Sequence, residues 1–145
     1  MAAHVSKIAE SVEKHREAKG DHGRVLLSQV DDLLIALNLC PAGSKNEFHY
    51  HKGSSQSFLC VEGQMTVRTK ETESAEPVAH HLTAGMCVLV PANQYYQLHN
   101  ESDKTAILYQ VKAPGDQIVV EGKGAINNRD YFTKENTEKM RQGTI

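Results

Sequence analysis

The most informative segment of this 145-residue chain reads Gly43-Ser-Lys-Asn-Glu-Phe-His49-Tyr-His51-Lys-Gly-Ser-Ser-Gln56-Ser-Phe-Leu-Cys-Val-Glu-Gly63. Residues two apart on an extended strand point to the same face, so His49 and His51 are expected to project together. If residues 52–55 form the loop of a hairpin, Gln56 lies opposite His51, with Cβ atoms roughly 4.5–5.5 Å apart. Two imidazoles and a carboxamide oxygen would then meet at one point. This donor set predicts a site for a borderline first-row metal ion.

A second interpretation of the segment is a polar loop that carries two histidines without any ligand. A His-x-His pair is a weak signal when it stands alone. Gly53 and the serines beside it fall where a hairpin needs turn residues, and this favours the metal site.

The same segment resembles the first conserved motif of the cupins, which usually has Glu at the position of Gln56. The second cupin motif is recognisable as Gly85-x5-Pro91-x-Asn93-x2-Tyr96-x3-Asn100. In this chain Tyr96 replaces the histidine that the family uses as a further metal ligand. The resemblance implies an all-β fold, the double-stranded β-helix or jelly-roll barrel. It implies little about chemistry, because cupins include dioxygenases, isomerases, lyases and non-catalytic binding proteins.

Apolar periodicity predicts the elements around these motifs. Val5, Ile8, Ala9 and Val12 have the spacing of an amphipathic helix, so a helix is expected over about residues 4–18. Strand-like alternation runs over about residues 24–112, and a short helical tail is expected around residues 133–141. We therefore expect one all-β domain over residues 1–145, with a helix at its start and a helical tail. The apolar run at residues 118–120 and the tail are candidates for edge or dimer contacts.

The barrel interior follows from the same alternation. A tight turn at Glu62-Gly63 would pair Phe58 with Val67, and Cys60 with Met65, on the inward face. Leu98 lies two residues after Tyr96 and is expected to face the barrel interior with it. Tyr109 is also expected to face that interior, and its alternative role is simple core packing. The predicted substrate pocket is therefore largely apolar, and its wall consists of Phe58, Cys60, Met65, Val67, Leu98 and Tyr109.

Composition bears on the kind of partner. The chain is 39% hydrophobic with a formal net charge of −2, and Lys45, Lys52 and Arg68 are scattered. Nucleic acid and anionic membrane surfaces are therefore poor candidates, and a small-molecule substrate is expected. The polar N-terminus has no apolar signal segment, so a cytoplasmic location is the default. Because small cupins are commonly dimers, the resemblance also implies a homodimer.

The donors His49, His51 and Gln56 are all neutral, so a bound divalent Fe, Mn, Zn or Ni ion would keep most of its charge and polarise a carbonyl or carboxylate oxygen. Tyr96 could be a further metal ligand, a proton-transfer group or an aromatic wall residue. The leading hypothesis is a metal-dependent isomerase or lyase that acts on a small oxygenated organic substrate, with Tyr96 as the catalytic residue. Such a site resembles that of metal cupins that act as ketonising isomerases on unsaturated uronates.

Two other functions remain open at the level of sequence. A non-haem iron cupin dioxygenase could use the same neutral donors. A barrel that binds a small molecule without turnover would explain why Gln56 and Tyr96 stand where the family usually has Glu and His.

Overall fold

The computed structural model of the protein describes residues 2–145, which form eleven strands and three helices. In chain order these elements are α1 (Ile8–Lys19), β1 (Gly23–Val30), β2 (Leu33–Cys40), β3 (His49–His51), β4 (Gln56–Glu62), β5 (Gln64–Lys70), β6 (Val78–Thr83), β7 (Cys87–Val90), β8 (Tyr95–His99), β9 (Ala106–Lys112), β10 (Gln117–Val120), β11 (Gly124–Asn127), α2 (Asn128–Tyr131) and α3 (Lys134–Gln142).

The strands form two antiparallel sheets. Sheet A has the order β1-β2-β9-β4-β7, and sheet B has the order β11-β10-β3-β8-β5-β6. Between β3 and β10 the chain passes repeatedly from one sheet to the other, which is the topology of a jelly-roll barrel. The predicted all-β barrel with an N-terminal helix and short C-terminal helices is confirmed. None of the helices within residues 2–145 has the length and apolarity that a membrane crossing requires.

The main core lies between the two sheets. Strand alternation builds it, because every second residue of β4, and of β9 from Leu108 onward, is buried while the residues between them are more exposed. The buried members of this core come from both sheets and are Phe58, Cys60, Met65, Val67, Leu82, Val90, Tyr96, Ala106 and Leu108. One end of the barrel is thus packed solidly with apolar side chains, and the polar site residues lie at the other end of β4.

Both predicted hairpins around β4 are wrong. Strand β3 pairs with β10 and β8, whereas β4 pairs with β9 and β7, so residues 52–55 cross from sheet B to sheet A. The turn at Gly63 likewise returns the chain to sheet B, where β5 pairs with β6 and β8. Gly63 has φ 78°, and a Cβ there would lie 2.8 Å from the carbonyl oxygen of Thr105. Only glycine fits such a close crossover.

Helix α1 covers the outer face of sheet A. It begins at Ile8 and not near residue 4 as predicted, because Val5 is 85% exposed and packs on nothing that would stabilise an earlier turn. Val12 is its buried residue and packs against Leu37, Leu39 and Ile107. This second cluster lies on the side of sheet A that faces away from the barrel interior.

The C-terminal segment is an integral part of sheet B, in which β10 is an internal strand and β11 forms the edge. Strand β10 pairs with β3, with Ile118 opposite His51 and Val120 opposite His49. Ile118 and Val120 then pack with Tyr131 in a third buried cluster. The two histidines therefore sit on an internal strand whose neighbour comes from the end of the chain. That the whole chain forms one domain stays a prediction.

Candidate functional site

The four side chains predicted to bind metal lie together inside the barrel. His49 and His51 project from β3 and Tyr96 from β8, all in sheet B, while Gln56 projects from the start of β4 in sheet A. Each of the four is at most 6% exposed. The ring centroids of His49 and His51 are 5.2 Å apart, and those of His49 and Tyr96 are 4.5 Å apart. The convergence comes from two facing sheets and not from the predicted hairpin.

The orientation of His49 is set by its own strand. Its Nδ1 lies 2.6 Å from the backbone carbonyl oxygen of Glu47. A carbonyl oxygen only accepts hydrogen bonds, so Nδ1 carries the proton and Nε2 keeps its lone pair. Burial lowers the pKa of His49 to about 4, and the ring is therefore neutral near pH 7. A histidine held in this way is typical of metal ligands.

His51 is held by packing and not by hydrogen bonds to both ring nitrogens. Its Nδ1 is buried and has no hydrogen-bond partner among the described residues. The ring of Phe132 stacks on the imidazole, with centroids 6.3 Å apart and planes at 8°. Burial, with further contributions from His49 and from the charge of Lys112, lowers the pKa of His51 to about 2. An unsatisfied buried nitrogen costs about 1–3 kcal/mol, and a bound metal ion or substrate atom would relieve that cost.

A chain of amides positions Gln56. Gln110 on β9 donates from Nε2 to Gln56 Oε1 at 2.8 Å. The Oε1 of Gln110 in turn accepts from Asn38 Nδ2 at 3.0 Å and from an Arg24 guanidinium nitrogen at 3.4 Å. This arrangement leaves Gln56 Oε1 with one further lone pair for a ligand. The sequence analysis missed Gln110 and Asn38, although both have inward strand parity.

Tyr96 is a neutral phenol within this set. Burial raises its pKa above the ordinary value, while a hydrogen bond with the Gln56 side chain and the charge of Arg24 act in the opposite direction. Its ring also lies against Phe58, with centroids 5.8 Å apart. Tyr96 therefore offers a proton-bearing hydroxyl to whatever occupies the site.

Two cations that the sequence analysis missed border the four residues. Lys112 is the register partner of Gln56 and is 8% exposed, and its charge reaches both His49 and His51. Arg24 acts on His51 and Tyr96. Both cations line a cleft of about 590 Å³ at this end of the barrel. Strand alternation could have revealed Lys112, because it lies four residues after the buried Leu108 and therefore projects to the same face of β9.

The predicted pocket wall needs one correction. Tyr109 does not face the interior, because Gln110 and Lys112 occupy the inward positions of β9, and it packs instead with the cluster beneath α1. Phe58 and Leu98 border Tyr96 in the main core. The remaining predicted wall residues are at most 2% exposed and belong to the packed interior: Cys60, Met65 and Val67. Their contact with a substrate stays a prediction.

The donor set has an unusual composition for a metal centre. Within residues 2–145, no group of three or more His, Cys, Asp or Glu is placed to hold a metal ion. The site residues do not form such a group, because only His49 and His51 belong to these four residue types, whereas the other two side chains are Gln56 and Tyr96. A metal ion bound there would have no carboxylate ligand to offset its charge.

Comparison with known proteins agrees with the fold. A family model described as a cupin domain matches residues 37–112, just over half of the chain. The structure is similar to BH2720 from Bacillus halodurans, with a TM-score of 0.67 and 18% identity over 78% of this chain and 82% of that one. It is also similar to TT1209 from Thermus thermophilus, with a TM-score of 0.62 and 25% identity over 77% of this chain and 98% of that one. A third likeness is to KdgF from Halomonas sp., with a TM-score of 0.59 and 13% identity over 80% of this chain and 97% of that one. No curated protein matches the sequence.

Proposed function

This chain belongs to the cupin family, and we propose that it is a metal-dependent enzyme that moves a proton on a small oxygenated organic substrate, a carbonyl compound or a carboxylate. The reaction is of the isomerase or lyase type. The observation that carries the proposal is the meeting of His49, His51, Gln56 and Tyr96 inside the barrel, each nearly excluded from solvent. A homodimer in the cytoplasm remains the expected form of the enzyme.

The residues present fit a divalent first-row ion. Cupins commonly bind metal, and His49 Nε2 is free because Nδ1 is already engaged with Glu47. His51 has a buried nitrogen without a partner among the described residues, and Gln56 Oε1 has a spare lone pair. His49, His51 and Gln56 would hold an Fe, Mn, Zn or Ni ion, with Tyr96 beside them. A bound ion supplies Lewis-acid polarisation of a substrate oxygen.

Tyr96 carries the proton transfer. Its raised pKa keeps the hydroxyl protonated at neutral pH, and its ring lies 4.5 Å from the His49 ring, centroid to centroid. The phenol donates its proton to the carbon of an enol substrate and regains a proton from the enol hydroxyl. The enol thereby becomes a ketone, and the phenol is restored. A positioned acid of this kind contributes typically about 10²–10⁴-fold in rate.

The rest of the chain supports this step. The amide chain from Gln110 holds Gln56, and Phe132 covers His51 on its outer side. Exclusion of water strengthens each polar contact with the substrate, because the local dielectric constant is low.

A second function is favoured by a specific observation. The donor set has no carboxylate, and Lys112 and Arg24 add positive charge beside it. Both features oppose a bound cation. They support a barrel that binds a small molecule without turnover. The dioxygenase alternative uses the same donors and differs from the isomerase in its need for oxygen.

Metal content distinguishes these functions. Elemental analysis of the untagged protein, purified without chelators, should find stoichiometric metal in the wild type. A His49→Ala/His51→Ala variant should lose the metal, whereas a His4→Ala variant, altered at an exposed histidine, should retain it. Circular dichroism of all three proteins controls for folding. Equal metal content in the wild type and the double variant would overturn the ligand set, and a metal-free wild type would favour the binding protein.

Catalysis is then tested with the loaded protein. Deuterium from heavy water should enter a ketone or enol test substrate at the carbon next to the carbonyl, under nitrogen as well as in air. Turnover that stops without oxygen and consumes it in air would favour the dioxygenase instead.

A further inference from the structure

Lys112 is a buried lysine without a counter-charge. It is 8% exposed, and among the described residues it forms neither an ion pair nor a side-chain hydrogen bond. The chain contains a direct comparison in Lys70, which is 7% exposed but pairs with Glu121, donates to the carbonyl oxygen of Glu73 and lies over the Phe48 ring. Buried charges are ordinarily paired, as that of Lys70 is, because an uncompensated charge is costly in the interior.

Arg24 adds a second cation to the same cleft, at an exposed position of β1. It makes no ion pair within the described part of the chain, and its side-chain hydrogen bond is to Gln110 Oε1 at 3.4 Å. The charge of Arg24 helps to lower the pKa of Lys112, so the two cations repel each other. Water screens the exposed Arg24, so the cost to stability falls mainly on the buried and unpaired Lys112. Such a cost is commonly retained where a ligand removes it.

The cleft in front of these cations has a defined charge. Arg24 and Lys112 line it together with one acid, Asp116, which pairs with neither of them. One net positive charge therefore remains, which matches a singly charged carboxylate better than a doubly charged phosphate. An arginine and a lysine are both strong donors to carboxylate oxygens.

The cleft also adjoins the polar site. Lys112 is directly opposite Gln56 on neighbouring strands, and such partners have Cβ atoms roughly 4.5–5.5 Å apart. One wall is firm, since Ser54 Oγ donates to the carbonyl oxygen of Ala113 at 2.5 Å and a Cβ on Gly115 would lie 3.0 Å from Ser54 Cβ. An anion on Lys112 would thus place its neighbouring atoms beside Gln56 and Tyr96.

We infer that Arg24 and Lys112 form an anion subsite that binds the carboxylate of a small organic acid and presents the adjoining carbon and oxygen atoms to Gln56 and Tyr96. This inference rests on the proposed function, because it names the class of substrate that the same site takes. The anion supplies the negative charge that the donor set lacks.

The test uses pyruvate as a small carboxylate probe, with inorganic phosphate as the comparison anion. Isothermal titration should show pyruvate binding to the wild type in the metal-free and the metal-loaded protein. The Lys112→Met and Arg24→Gln variants should each bind it about tenfold or more weakly, a loss of about 1.4 kcal/mol. Lys104→Met is the matched control, since it removes the same charge from an exposed residue that precedes the opposite end of β9, and it should bind like the wild type.

Thermal melting supplies a second readout that does not depend on affinity. Without ligand, the Lys112→Met variant should melt higher than the wild type, because an unpaired buried charge has been removed. Pyruvate should raise the Tm of the wild type but not that of the variant. Unchanged pyruvate affinity in both variants, or phosphate binding tighter than pyruvate, would overturn the subsite. Metal analysis of the same variants keeps the two proposals separate, since loss of the carboxylate subsite leaves the metal content unchanged.

Discussion

His49 on β3 and Tyr96 on β8 are direct register partners in sheet B, and their ring centroids lie 4.5 Å apart. Opposed residues on antiparallel strands project to the same face, so backbone pairing itself sets the phenol against the imidazole. The Tyr96 ring also packs against Phe58 of the other sheet, with centroids 5.8 Å apart. The phenol is therefore held by residues of two sheets and not by a mobile loop.

Replacing Tyr96 by Phe removes only this hydroxyl. If the phenol transfers the proton, turnover should fall by about 10²–10⁴-fold while metal content stays at the wild-type level. The ring still fills its place against Phe58, so the free energy of unfolding should change by less than about 1.5 kcal/mol. Steady-state kinetics and elemental analysis of one preparation check both statements. Loss of metal in this variant would show instead that the phenol is a ligand.

The amide chain behind Gln56 predicts a positioning role for Gln110. A Gln110→Met change fills similar volume but leaves Gln56 Oε1 and Asn38 Nδ2 without their partner. The free energy of unfolding should fall by about 1–3 kcal/mol. Metal affinity should fall by about 10–100-fold, as for other residues that orient a ligand. Urea denaturation and metal titration measure the two effects.

The matched control for this change is Gln64→Met, at an exposed position where β5 begins. It should alter the free energy of unfolding by no more than about 0.5 kcal/mol. If both variants behave alike, the hydrogen bond from Gln110 does not position Gln56.

The buried imidazoles predict how stability depends on pH in the metal-free protein. Burial lowers the pKa of His49 from 6.5 to about 4, and it lowers that of His51 further. Between these values the unfolded chain binds more protons than the folded one, so the free energy of unfolding rises with pH. Stability should be full above about pH 6.5 and should fall towards about pH 4, by up to about 1.4 kcal/mol per pH unit for each histidine.

Urea denaturation between pH 7 and 5 measures this slope, and a His51→Gln variant should reduce it. Asp21 and Glu101 have lowered pKa values from 3.8 and 4.5, so their effect begins only at lower pH. A free energy of unfolding that is constant from pH 6.5 to 5 would contradict the burial of two neutral histidines.

The two buried lysines should respond to mutation in opposite ways. Lys70 pairs with Glu121 and lies 4.5 Å from the centroid of the Phe48 ring, so Lys70→Met should lower the free energy of unfolding by about 1–3 kcal/mol. Lys112 has no such partner among the described residues, so Lys112→Met should raise it. Thermal and urea unfolding of the two variants, beside Lys104→Met, make the comparison. A loss of stability in the Lys112 variant equal to that at Lys70 would show that Lys112 is paired.

Local spacing was enough to predict the elements and most of the candidate site. The inward projection of His49 and His51 follows from strand alternation, which depends only on backbone geometry. The glycines, Pro91 and Asn93 marked turns, and Asn93 indeed has φ 67°, a conformation that Asn tolerates. These features involve neighbouring residues, so they can be recognised in the sequence.

Pairing between strands could not be predicted in the same way. The hairpins expected at residues 52–55 and at Gly63 are crossovers between sheets: β4 pairs with β9 and β7 in sheet A, and its apolar inward face packs against sheet B. The inward parity of Phe58 and Met65 is the same in either arrangement. Alternation therefore identified the core residues without identifying their partners.

The charged part of the site depended on the tertiary structure most of all. Arg24 and Lys112 are far apart in the chain, and they border one cleft only because β1, β2 and β9 lie side by side in sheet A. On β9, Tyr109 was predicted to face inward. In the structure the alternate residues face inward instead, and Lys112 is one of them. Alternation is local, whereas the register and order of strands depend on contacts across the whole barrel. The sequence alone thus predicted the neutral donors, and only the folded barrel revealed the cations beside them.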